Sequence, residues 1–94
     1  MAIVLVHFKV EDQKKWREAF EAHASLRQSG GCAGTHIFYN AHDPNEVIIN
    51  LQWDTEENAQ KFLANPEAQK AMKESGMVGA PEFWFLEDGG RTAS

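Results

Sequence analysis

Thr35–Asp54, THIFYNAHDPNEVIINLQWD, decides the fold of this chain. Two runs rich in β-branched and aromatic residues flank Asp43-Pro44-Asn45. Pro sets φ for a turn and Asn tolerates left-handed geometry, so the stretch reads as a β-hairpin. The strands expected are residues 35–40 and 46–53. Along the second, Val47, Ile49, Leu51 and Trp53 share one apolar face, and Ile48, Asn50 and Gln52 share the other. Asp54 is placed to cap the next helix, with Glu57 three residues on completing a capping-box-like pair.

Outward from the hairpin, a strand precedes it and a strand ends the ordered part of the chain. Residues 2–10 alternate, with Val4, Val6, Phe8 and Val10 on one face and Ile3, Leu5, His7 and Lys9 on the other. Asp12 is a suitable N-cap for a first helix, in which Trp16, Ala19, Phe20, His23 and Leu26 form one stripe before Gly30-Gly31 stops it. After the hairpin, Ala59, Phe62 and Leu63 mark a second helix. Asn65-Pro66 interrupts it and starts another short helix, with Ala68, Ala71 and Met72 inward. Residues 82–87, carrying Phe83, Trp84, Phe85 and Leu86, are the last strand. The order β-α-β-β-α-β predicts an α+β, ferredoxin-like fold: a four-stranded antiparallel sheet with its helices on one face. The domain spans residues 1–88, and residues 89–94 are expected to be a flexible polar tail. The bare sheet face, assigned Ile3, Leu5, Ile37, Tyr39 and Ile48, needs a cover.

The bulk numbers narrow the function classes. At 94 residues the chain is one domain with a small core, yet it is 43% hydrophobic with three Trp and six Phe. That surplus points to a second subunit or a ligand, and a two-fold homodimer through the open sheet face is the leading expectation. The net charge of −5 opposes nucleic-acid binding and docking on anionic membranes. Cys32 is the only cysteine, so no internal disulfide can form. Ile3–Val6 is too short for a secretory signal and no run is long enough for a membrane span, so a cytoplasmic location is expected.

The chain over about residues 2–88 resembles the dimeric α/β-barrel superfamily, the group containing antibiotic-biosynthesis-monooxygenase-like proteins. The carriers are the DPNEVII-x-L-x-WD hairpin, the helix W-x-x-x-F-x-x-H with its Gly-Gly stop, and NPEA-x-x-AM before G-x-PEFWFLE. The resemblance implies a dimer with a cavity between sheet and helices. Members include cofactor-independent oxygenases of polyketide-like aromatics, haem-degrading enzymes and small-molecule isomerases. Oxygenases of the group often use a Trp at the end of the third strand with an Asn nearby, and Trp53 matches that Trp. Asn50 falls on the opposite face from it by period-two alternation. The residues from Thr55 to Ser75 hold no His, which opposes haem degradation by the route of haem-degrading relatives.

His23, on the helical stripe between Phe20 and Leu26, is the candidate general base. His36 is the second catalytic candidate, expected to line an aromatic-walled pocket with Phe8 and Trp53. Phe20 and Phe62 extend that wall, and Tyr39, the only tyrosine, offers a hydroxyl to anchor a substrate phenol. Each of these residues also has an ordinary structural explanation in core packing or sheet hydrogen bonding. His7 is expected at the dimer seam and His42 in solvent. No HxH, HxxxH or HExxH spacing is present, so no metal is expected, nor a cofactor. Two functions stand: a dimer that binds a small apolar or aromatic molecule and transforms it as a cofactor-independent monooxygenase, isomerase or cyclase, or a non-catalytic dimeric ligand-binding or stress-associated structural module.

Overall fold

The computed structural model describes residues 2–94. Its elements are β1 (Ala2–Val10), α1 (Gln13–Ala22), α2 (Ala24–Ser29), β2 (Cys32–Asn40), β3 (Asp43–Trp53), α3 (Glu56–Ala64), α4 (Pro66–Glu74) and β4 (Met77–Leu86). The strands form one four-stranded sheet in the order β2-β3-β1-β4, antiparallel at every pairing. This is the expected α+β, ferredoxin-like fold.

The core follows from alternation. Val4, Val6, Phe8 and Val10 of β1 and Val47, Ile49, Leu51 and Trp53 of β3 are buried together beneath the helices, with Trp16 and Ala59 closing the layer. Register puts Val4 opposite Leu51 and Val6 opposite Ile49, so the apolar faces of the central strands coincide. Asp12 caps α1 by accepting from the backbone N–H groups of Lys14 and Lys15, and Asn65 caps α4 with Pro66 in its first turn.

Several expectations change. The first helix breaks at His23, which lies between α1 and α2 with φ −102° and ψ 16°. The hairpin turn falls at Ala41-His42, where Asn40 Oδ1 accepts from the His42 N–H, and Asp43-Pro44-Asn45 lies inside β3. Those residues form a bulge: Tyr39 pairs with Val47, but Asn40 already pairs with Asp43. A bulge leaves ladder positions unpaired, which is where a strand tolerates a proline. The cap of α3 is Thr55, whose hydroxyl accepts from the Asn58 N–H, while Asp54 accepts from the Thr55 N–H and the Asn58 amide. The last strand begins at Met77 through a bulge between Val78 and Glu82, with Gly79 at φ +75°.

Gly31 turns the chain from α2 into β2 at φ +112°, and a Cβ there would come within 2.5 Å of the Asp54 carboxylate. Its carbonyl accepts from the Asp54 N–H at 3.0 Å, joining the start of β2 to the end of β3. No helix among the described residues is long and apolar enough to cross a membrane.

The face assignment of β2 is reversed. Ile37 pairs with Ile49 and Tyr39 with Val47, so both lie on the helix side and pack against the core. His36 pairs with Asn50 and Phe38 with Ile48, which puts them on the open face beside Ile3, Leu5, Trp84 and Leu86. Alternation told which residues of β2 share a face. The register with β3 decides which face it is.

A candidate ligand cavity between sheet and helices

Between the sheet and the helical layer lies a cavity of about 70 Å³. Val6, Phe8 and Ile49 form its sheet wall and Phe83 its edge. Trp16 and Phe20 descend from α1, His23 from the junction and Arg27 from α2, and Phe62, Leu63, Ala68 and Met72 come from α3 and α4. Steps of four, three and four residues keep Trp16, Phe20, His23 and Arg27 on one side of the helical segment. The aromatic rings interlock: Phe8 and Trp16 are tilted at 5.4 Å between centroids, and Trp16 and Phe20 are stacked at 5.0 Å.

The sequence-derived site residues divide into two groups. His23, Phe8, Phe20 and Phe62 meet at the cavity. Trp53 does not reach it: fully buried, it lies behind Phe62 at 5.0 Å between rings. Tyr39 is also absent from the lining, and its hydroxyl accepts a hydrogen bond from Arg17 Nη1 at 3.1 Å. That bond and Glu21 raise the pKa of Arg17 above the ordinary arginine value. His36 is on the far side of the sheet, stacked on Phe38 at 4.1 Å. The expectation that His36 shares a pocket with Phe8 and Trp53 is therefore corrected by the β2–β3 register.

His23 is exposed rather than buried on the stripe, because the chain breaks its helix there. Its Nδ1 lies 2.7 Å from the Ala19 carbonyl oxygen. A carbonyl only accepts, so Nδ1 carries the proton and, in the neutral ring, Nε2 is left with a lone pair. Nε2 has no hydrogen-bond partner among the described residues. An imidazole held in this tautomer at the rim of an apolar cavity is competent to take a proton.

Sequence reasoning passed over Arg27. Its guanidinium sits 3.6 Å over the Phe20 ring, and Nη1 donates to the Phe20 carbonyl at 2.6 Å. Burial lowers its pKa below the ordinary arginine value. The signal was present: Arg27 stands four residues after His23 on the Trp16–Phe20–His23 stripe. Ser75 also lines the cavity, but its hydroxyl donates to the Met72 carbonyl at 2.6 Å.

The open sheet face carries a polar cluster of its own. His7 Nε2 donates to Glu46 Oε1 at 2.6 Å, and Nδ1 is 3.8 Å from Glu82. Asn40 donates to the other Glu46 oxygen at 3.0 Å. The His7 and Asn40 hydrogen bonds hold the Glu46 carboxyl below the usual carboxylate range. Among the described residues, no group of three or more His, Cys, Asp and Glu side chains is arranged to hold a metal ion.

An α+β sheet of this order with its helices on one face defines a ferredoxin-like domain. The family model for antibiotic biosynthesis monooxygenases matches residues 1–74, and the chain belongs to that family. The fold is similar to that of SnoaB, a cofactor-independent oxygenase from Streptomyces nogalater, with a TM-score of 0.80 at 11% identity over 99% of this chain and 97% of that one. It is also similar to the ActVA-Orf6 monooxygenase of Streptomyces coelicolor in complex with nanaomycin D, with a TM-score of 0.69, 17% identity and coverage of 99% and 91%. Rv0793 from Mycobacterium tuberculosis gives a TM-score of 0.69, 13% identity and coverage of 99% and 98%. No functionally curated protein matches the chain.

Proposed function

We propose that the protein binds a small, flat, largely apolar molecule in the cavity under its helices and acts on it with His23 as general base, without a cofactor. The observation that carries this reading is the free Nε2 of His23 at the rim of an aromatic-walled cavity. Proton removal from an acidic C–H or O–H leaves an electron-rich anion. Returning the proton at another atom is isomerisation. Passing electrons to dioxygen is oxygenation, and a phenol plus dioxygen balances as a quinone plus water. The family match and the oxygenase neighbours favour the second. His36 and Trp53 drop out of direct contact in this reading. Trp53 backs the wall through Phe62.

The working unit in this reading is a homodimer through the open sheet face. Phe38, Trp84 and Leu86 stand 46%, 42% and 40% exposed on that face. Asn50 Oδ1, on the same face, is buried without a hydrogen-bond partner. A second copy would cover the apolar side chains and bring donors to that acceptor.

Size favours a second reading. The cavity is smaller than the roughly 150 Å³ that admits benzene in an engineered protein core, so an aromatic enters only when the wall opens. Met72 and Met77, both in the lining, are adaptable enough to allow it. A wall that stays shut makes the protein a non-catalytic dimeric module. Titrating one- and two-ring phenols against the tryptophan fluorescence decides between the two. Saturable quenching that His23→Ala alters supports the first reading. No saturable quenching by any phenol, and the same signal in His23→Ala, overturns it.

A further inference from the structure

Arg27 is the cation of the cavity wall, and it is held there without a counter-ion. Arg27 is half-buried, and a charge withdrawn from water costs free energy unless it is paired, for which the usual solution is a carboxylate. The chain has 14 acidic residues, yet none of the ion pairs among the described residues includes Arg27. Arg17, on the outer side of α1, shows the usual arrangement: its Nε donates to Glu21 at 2.8 Å and its Nη1 to Tyr39. Arg27 instead rests on the Phe20 ring and gives one N–H to the Phe20 carbonyl. A guanidinium presents several N–H groups in a flat fork, so donors remain for another acceptor. The hydroxyl of Ser75, which also lines the cavity, is already committed to Met72. The remaining lining is apolar apart from His23 and the indole N–H of Trp16, a donor that offers a guanidinium nothing.

We propose that Arg27 is the anion-holding residue of this cavity, and that the molecule it takes is an acidic aromatic: a flat apolar body bearing a carboxylate, phenolate or enolate oxygen. The proposal rests on the reading that the cavity binds a small aromatic, and it adds the charge of the ligand and its orientation. Trp16, Phe20 and Phe62 enclose the ring, while the ligand's oxygen faces the guanidinium fork. His23, one helical turn before Arg27, then stands beside the group whose proton is lost, and Arg27 stabilises the anion that results.

Benzoate and benzamide, nearly equal in shape and different in charge, test it by calorimetric titration at neutral pH. The wild-type protein is expected to prefer benzoate by about tenfold to a hundredfold, the range of a hydrogen bond to a charged group. The preference falls to near unity in Arg27→Gln, is partly kept in Arg27→Lys and is unchanged in Arg17→Gln. Arg27→Lys keeps the charge and the aliphatic stem, so the test stands if Arg27→Gln does not fold. Equal binding of both probes by the wild type, or a preference that neither Arg27 variant reduces, overturns the role of Arg27 and leaves the cavity reading intact. Failure of both probes to bind the wild type overturns both.

Discussion

The Nδ1 of His23 faces the carbonyl oxygen of Ala19 at 2.7 Å, and this contact selects the tautomer whose Nε2 is free. The contact exists because the helix breaks at His23, turning a ring expected inside a continuous stripe into one exposed at the cavity rim. His23→Ala is expected to abolish proton abstraction while changing stability by less than about 0.5 kcal/mol, as for exposed side chains generally. Nitrogen-15 NMR of the histidine ring checks the premise, with Nε2 resonating as the unprotonated nitrogen in the neutral form.

The aromatic wall is structural as well as functional. Trp16 is 2% exposed and lies between Phe8, tilted against it, and Phe20, on which it stacks. Trp16→Ala is expected to cost about 3–5 kcal/mol in urea unfolding, because the deletion leaves a void the neighbours fill only in part. A loss below about 1 kcal/mol would mean that the helical layer collapses freely onto the sheet.

The open sheet face predicts association. Sedimentation at micromolar concentration is expected to give a dimer. Phe38→Asp, on the exposed surface of β2, is expected to give a folded monomer, since the ring it removes stacks only on the exposed His36 and not on the core. A wild-type monomer at that concentration removes this surface as the dimer interface.

Acid sensitivity follows from Glu46. Hydrogen bonds from His7 and then Asn40 lower its folded pKa below the unfolded value. The stabilisation is therefore present in full above the ordinary carboxylate range and is lost as pH falls through that range and below it. Glu46→Gln is expected to flatten the decline in melting temperature below about pH 4.5, near the ordinary glutamate value. A parallel decline in both proteins would remove the contribution of the Glu46 hydrogen bonds.

Much of this architecture was legible in the sequence, because β1 and β3 carry apolar faces too consistent to turn outward. Asp12, Asn65-Pro66 and Gly30-Gly31 mark helix boundaries by local chemistry alone. What misled was β2. His36 and Phe38 on one side and Ile37 and Tyr39 on the other are similar in apolar content, so alternation could not orient the strand. The bulge at Asp43–Glu46 sets its register, and a bulge and a turn share the same residues: Asp, Pro and Asn. His36 was lost from the candidate site for that reason. Arg27 was missed because a charged residue on a helical stripe reads as a solvated edge until its burial and its missing partner are seen.

The most direct measurement is a two-dimensional nitrogen–proton NMR titration with phenol and 1-naphthol, following the indole N–H signals of Trp16 and Trp84. Trp16 lines the cavity and Trp84 stands on the open sheet face. A ligand held under the helices shifts the Trp16 signal saturably, together with the ring signals of His23, and leaves Trp84 in place. A saturable shift confined to Trp84, or none at Trp16 at the solubility limit of both phenols, would contradict a binding cavity between sheet and helices.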